Sequence, residues 1–390
     1  MCAKAKTLTW VKLMPGTMLS GLVTQENDMD AAALCTVRHE HTPSWQAVVA
    51  AAVLSLSPMI GNAQTEPGAE PRAGTPPGRS ATPQALENAR AAVLGIQVVA
   101  VDGARSADTL GRERRGSGVL IDAEGLVLTI GYLILEANQV ELIIEGRKRV
   151  PARVVAYDLD SGFGLVQSLL PLNIPPMPLG DSAAAPEHEP LMIVSGGGDG
   201  GDGGVSLARM VSRRAFSGYW EYHIEGALFT APPRGDHSGA GLFNARGELL
   251  GIGSLVVAEA LGDGKGRFPG NMFVPVDLLK PILAELRAQG SSSKSSRAWL
   301  GLNCVEHEGA VRVVRVTRDG PAALAGLRPG DHIVRIDGSE VAGLASFYKS
   351  LWRSAPERDV SLAIRRGGVD QVLSVRSQDR MKTLSRPQGI

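Results

Sequence analysis

Short β-prone runs, separated by turn signals about every 8–12 residues from position 86 onward, restrict this chain most. Residues 91–101 (AAVLGIQVVAV) are strand-like, and 116–129 (GSGVLIDAEGLVLT) read as two β-rich runs joined by an Asp-Ala-Glu-Gly turn. Residues 140–144, 150–156, 164–166, 205–211 and 219–224 continue the pattern. Such spacing predicts an all-β barrel or sandwich rather than a helical bundle. With 47 Gly, 24 Pro and 4% aromatic residues, the composition agrees. A length of 390 residues exceeds one ordinary domain. The one clear helix of this half is predicted at 275–289, with Leu278, Leu279, Ile282, Leu283 and Leu286 at helical spacing and Gly290 as its stop.

The flanks read differently. Residues 45–56 (WQAVVAAAVLSL) form an apolar run preceded by Arg38, His39 and His41, broken by Pro58 and followed by Gly61-Asn62-Ala63. This run is short for a membrane span and suits a secretory signal within 1–63, cleaved after Ala63, with Met29 as an alternative start. An uncleaved anchor is the competing reading. Residues 64–85 are Pro, Gly, Ala and polar, a disordered linker. The tract at 196–204 (GGGDGGDGG) has no Gly-Lys-Ser/Thr and is expected as a flexible surface loop. Net charge is zero, and no long basic run suggests nucleic acid. Cys2, Cys35 and Cys304 have neither metal nor disulfide-framework spacing, so no metal or cofactor is expected.

Residues 235–243 (GDHSGAGLF) offer a candidate nucleophile. Small residues around Ser238 let the backbone turn tightly and aim two N–H groups at one point, as acyl transfer requires. Most serines before glycines simply form turns, so the reading depends on a base and an orienting acid elsewhere.

After a serine-rich linker at 290–297, residues 298–378 form a second domain, followed by a tail at 379–390. Its run GPAALAGLRPGDHIVRIDG (320–338) resembles a PDZ domain of the bacterial protease type. That resemblance implies that the N–H groups of Leu300, Gly301 and Leu302 capture a peptide's terminal carboxylate, the peptide adding as a strand beside 302–305. Leu344, Phe347 and Leu351, on an amphipathic segment at 342–354, either line the side-chain pocket or serve as plain core.

With that domain behind it, 86–289 resembles the trypsin-like core of the HtrA/Deg family. The matching stretches are GSGVLIDAEGLVLT, Leu179-Gly180-Asp181-Ser182, SGAGLFNARGELLGIG and FVPVDLLKPIL. The implied fold is mostly β, a trypsin-like double β-barrel followed by an α+β PDZ domain. The triad departs from the family. Its Thr-x-x-His pattern here reads Thr129-Ile130-Gly131-Tyr132, placing Tyr132 where the histidine belongs. Its Asp-x-x-Ser/Thr-Asp pattern reads Asp158-Leu159-Asp160-Ser161-Gly162, placing Gly162 at the aspartate. The oxyanion-hole glycine is Asp236.

Tyr132 is a poor base at neutral pH, and Asp160 would have no imidazole to orient. His237 neighbours Ser238 but should point away from it; His223 in the preceding strand, or a rearranged loop, is the other route to activation. The expectation is an exported, periplasmic, proteolytically inactive homologue. It would bind polypeptide C-termini or unfolded proteins, or regulate active HtrA-type relatives. The resemblance further implies homo-oligomers, trimers in many relatives. The alternative is an active serine endopeptidase using Ser238 with a non-standard base.

Overall fold

A computed structural model describes residues 83–145, 147–197, 203–262 and 264–385. The signal segment, nearly all of the 64–85 linker, positions 198–202 of the glycine tract and the end of the tail lie outside the described residues.

The chain enters through helix α1 (Pro83–Ala92), whose Ala85, Ala89 and Ala92 are buried along one stripe. Residues 83–85 and 91–92 are thus helical, not linker and strand; small residues at helical spacing were hidden inside an apolar run. The first barrel follows: β1 (Val93–Ala100), a short α2 (Ala107–Leu110), β2 (Glu113–Leu120), β3 (Leu126–Ile130), α3 (Gly131–Ile134), β4 (Ala137–Ile144), β5 (Lys148–Tyr157) and β6 (Phe163–Ser168). It closes in the order β1-β2-β3-β6-β5-β4. Asp122 makes the β2–β3 turn by accepting the N–H groups of Glu124 (2.9 Å) and Leu126 (2.8 Å).

A second closed barrel is built from β7 (Pro190–Ser195), β8 (Gly204–Gly218), β9 (Tyr222–Ala231), β10 (Gly241–Phe243), β11 (Leu249–Val257) and β12 (Gly270–Pro275), in the order β10-β11-β12-β9-β8-β7. Closure leaves no open sheet edge in either barrel. One buried cluster fills the first barrel and runs on between the barrels through Met192, Val194, Phe229 and Phe243. Another, with Leu191, Ile193, Met210, Leu228 and Leu242, fills the second. The 219–224 run divides: 219–221 is the β8–β9 turn, and the strand starts at Tyr222. The expected 275–289 helix is also split, into a 3₁₀ turn at Val276–Leu278 and α4 (Leu283–Gln289). Pro281, lacking an N–H, sits at the break.

The C-terminal unit comprises β13 (Ala298–Trp299), β14 (Leu302–His307), β15 (Ala310–Val316), α5 (Pro321–Leu324), β16 (His332–Ile336), β17 (Ser339–Glu340), α6 (Leu344–Leu351), β18 (Asp359–Arg366), β19 (Val369–Arg376) and β20 (Gln378–Asp379). Its sheet runs β14-β15-β16-β18-β19, while β20 returns to pair with β13. Ordered structure therefore continues past 378, into a 3₁₀ turn at Arg380–Thr383.

All described residues belong to one compact unit. The serine-rich segment expected as a flexible linker is fastened to the first barrel. Asp158, fully buried, accepts the Ser161 N–H (2.8 Å), the Ser161 hydroxyl (2.5 Å), the Ser295 hydroxyl (2.5 Å) and the Ser292 hydroxyl. Arg297 pairs with Asp160 and lies 4.2 Å over the Trp352 ring. A buried acceptor with four donors explains why so polar a segment is held, since each donor lost from its partner would stay dry and unsatisfied. Asp158→Ala should therefore lower stability by about 2–3 kcal/mol in urea unfolding at unchanged m-value. An unchanged midpoint would show that the segment is not anchored there.

Candidate functional site

Ser238 stands at the junction of the two barrels because its turn is held from both. Its carbonyl accepts the Ser117 N–H at 2.8 Å, and the next N–H, of Gly239, donates to Gly253 O at 2.9 Å. Gly239 has φ 75°, and a Cβ there would lie 1.9 Å from the Ser117 carbonyl oxygen. Only glycine fits that approach.

Tyr132, on α3, reaches across from the first barrel. Its hydroxyl oxygen lies 2.8 Å from Ser238 Oγ and 2.9 Å from the Ser254 carbonyl oxygen. A phenol carries one proton, and a carbonyl can only accept. Either Tyr132 donates to Ser238, or it donates to Ser254 while Ser238 donates to it. In neither arrangement can the neutral phenol remove the serine's proton. Burial pushes the Tyr132 pKa far above the ordinary phenol value, with the Ser238 hydrogen bond pulling the other way.

Gly162 adjoins this pair, its carbonyl accepting the Gly131 N–H at 2.7 Å. The space in front of it is filled: a Cβ on Gly162 would lie 3.0 Å from the Tyr222 hydroxyl, which donates to Ser161 O at 3.0 Å. Tyr222, unremarked in the sequence, thus occupies the room an aspartate would need. Its position in a hairpin strand carries no local signal of that contact.

Asp236 turns to its own partners. Arg234 donates to both carboxylate oxygens, at 2.8 and 2.5 Å, and the Ser195 hydroxyl donates at 2.5 Å. Desolvation opposes ionisation, but the Arg234 and Ser195 hydrogen bonds and the Arg234 charge outweigh it and hold the carboxyl below its usual range. Between 235 and 241 only Gly239 has a positive φ.

Neither nearby imidazole is placed to serve Ser238. His237 directs Nδ1 to the Gly235 carbonyl (3.0 Å), and burial lowers its pKa. His223 engages Ser217 Oγ through Nδ1 (2.8 Å) and Glu225 through Nε2 (3.1 Å), so both ring nitrogens are taken. That corrects the suggestion of His223 as base: its strand presents it to the β8–β9 hairpin and not to the barrel junction. Among the described residues no cluster of three His, Cys, Asp or Glu side chains could hold a metal ion.

In the C-terminal domain, the N–H groups of Leu300 and Leu302, at the entry to β14, converge on one point. Leu344, Phe347 and Leu351 are buried in the core between α6 and the sheet. The chain's own Glu221 meets the Leu300 and Leu302 donors, a contact with no sequence signature.

The fold and site define a trypsin-like peptidase domain joined to a PDZ domain; residues 116–252 match the trypsin-like peptidase domain family and 298–376 the PDZ domain family. This pairing of domains is that of HtrA/Deg-type proteins, which the chain resembles over both. A relative from Pseudomonas fulva (strain 12-X), named a probable periplasmic serine endoprotease DegP-like, is 27% identical over 282 residues, 68% of this chain and 57% of the relative. Another with the same name, from Hahella chejuensis (strain KCTC 2396), is 25% identical over 274 residues, 67% of this chain and 56% of the relative. The chain thus spans little more than half the length of these relatives. The solved HtrA-type protease AlgW with tripeptide aligns over 76% of this chain and 96% of its own, at 23% identity and a TM-score of 0.47.

All five tyrosines, Tyr132, Tyr157, Tyr219, Tyr222 and Tyr348, have raised pKa values with burial as the leading cause, Tyr157 to about 12. A phenol raised in the folded state adds stability that is complete below the free value of about 10 and is lost as pH rises through the folded value. Phenolate absorbance of the native protein should therefore lag that of the urea-unfolded chain above about pH 10, with stability falling over the same range. Native tyrosines titrating like free ones would contradict this packing.

Proposed function

We propose that this is an exported, periplasmic HtrA-like protein whose peptidase domain does not cleave and whose work is binding. Its PDZ domain takes polypeptide C-termini or unfolded segments, as a holder of unfolded chains or a regulator of active relatives. One observation carries the reading: the group facing Ser238 is a half-buried, neutral phenol that is itself a donor. General-base catalysis needs an acceptor whose pKa lies near the working pH, and here it lies far above. Loss of the triad histidine alone costs about a million-fold in kcat in subtilisin. The tyrosine filling the space before Gly162, and the pairing of Asp236 with Arg234, support the same conclusion. Periplasmic placement is supported by the names of the relatives and by the 45–63 segment.

A second reading, an active endopeptidase, is favoured by those same names and by the retained Ser238 turn. Labelling with a fluorophosphonate probe separates the two, run beside Ser238→Ala and an active HtrA control. The expected result is no Ser238-dependent labelling and no casein cleavage while the control reacts. Labelling lost on Ser238→Ala would establish an activated serine and overturn the proposal.

A further inference from the structure

The three-residue turn between β8 and β9 sits in the PDZ groove. Gly218 pairs with Tyr222 across the hairpin, leaving Tyr219, Trp220 and Glu221 to project. Glu221 has φ 56°, a left-handed conformation that is unfavourable for a residue with a Cβ. That cost implies that surrounding contacts hold it. Its half-buried carboxylate accepts the Leu302 N–H at 2.8 Å and the Leu300 N–H at 3.2 Å. Two residues earlier, the Tyr219 carbonyl accepts the Cys304 N–H of β14 at 2.8 Å. A peptide captured by its C-terminus makes the same two kinds of bond: a carboxylate in a nest of N–H groups, and main-chain pairing with the adjacent strand edge.

We propose that the 219–221 turn is an internal ligand of the PDZ groove. The Glu221 side-chain carboxylate stands where a peptide's terminal carboxylate would bind, so a peptide must displace it. This rests on the reading of the groove as a site for terminal carboxylates. The occupant is commensurate with the site in charge, in main-chain register and in its distance from the nest. A clasp holds it: the Tyr348 hydroxyl on α6 donates to Gly218 O at 2.8 Å and accepts the Glu221 N–H at 3.2 Å. At the rim, Lys349 pairs with Glu225 at 2.6 Å, a surface contact of little weight. Burial pushes the Glu221 carboxyl up to about 7, while the Leu302 N–H, the charge of Arg380 and the Leu300 and Gly301 N–H groups pull it down. Desolvation thus opposes what the nest contributes to holding the charge.

The test uses the full chain, wild type and Glu221→Ala, and a fluorescein-labelled decapeptide ending in an aliphatic residue with a free carboxylate. Its C-terminally amidated form is the control. Because apparent affinity falls with the fraction of open groove, Glu221→Ala should bind the free-carboxylate peptide at least about tenfold more tightly, with no binding of the amide. Equal affinities in the two chains would overturn the proposal. Amide hydrogen exchange at Leu300, Leu302 and Cys304 reads the plug without any peptide. Protection should drop in Glu221→Ala, and in the same direction in Tyr348→Phe; unchanged protection would also overturn it. Lost protection with no peptide bound by either chain would uphold the internal ligand and remove the terminal-carboxylate reading of the groove.

Discussion

The approach of Gly239 to the Ser117 carbonyl is the contact on which the peptidase half depends. Two closed barrels have no spare strand edges, so they join through buried side chains and a few main-chain bonds at the seam. The Ser117 N–H to Ser238 carbonyl bond is one, and the Ser117 hydroxyl, accepting the Gly196 N–H at 2.9 Å, gives another. The position of Ser238 is therefore a consequence of barrel packing and of a missing Cβ. Side chains that would perform chemistry contribute little to that frame. This is why Tyr132 and Gly162 can stand beside the serine turn while it keeps its shape.

A phenol facing Ser238 differs from an imidazole in more than basicity. An imidazole has an acceptor nitrogen at neutral pH, whereas a phenol must first lose a proton, and burial makes that loss harder. The Ser254 carbonyl gives the phenol's proton a second acceptor. The pair Tyr132–Ser238 is thus a hydrogen-bonded seam between barrels. Asp236 shows the same tendency: its charge is turned onto Arg234 and Ser195.

Much of this was legible in the sequence, unevenly. Strand positions and the two-barrel architecture follow from turn-spaced β runs, and the Asp122 turn was visible as Asp-Ala-Glu-Gly. The motif spacing that sets Tyr132 near Ser238 is matched by a 2.8 Å separation of their oxygens. Other contacts between distant segments could not be read. Tyr222 filling the space before Gly162, Asp158 gathering Ser292 and Ser295, and Glu221 reaching Leu302 join residues tens to more than a hundred positions apart. None alters local composition or periodicity. The serine-rich segment misleads for the same reason: its hydroxyls look like solvent-facing linker, yet a single buried carboxylate makes them interior groups.

That anchoring has a kinetic and thermodynamic meaning for the groove it precedes. With Ser292 and Ser295 fixed to the first barrel, the free tether between the β8–β9 turn and the loop before β14 is only a few residues long. A partner held on so short a leash acts at an effective concentration on the order of millimolar. A competing peptide must exceed that local concentration or bind intrinsically better, so scattered C-termini at low abundance leave the groove shut. Occupancy would then rise with the total amount of exposed chain ends, and the molecule would respond to load more than to sequence.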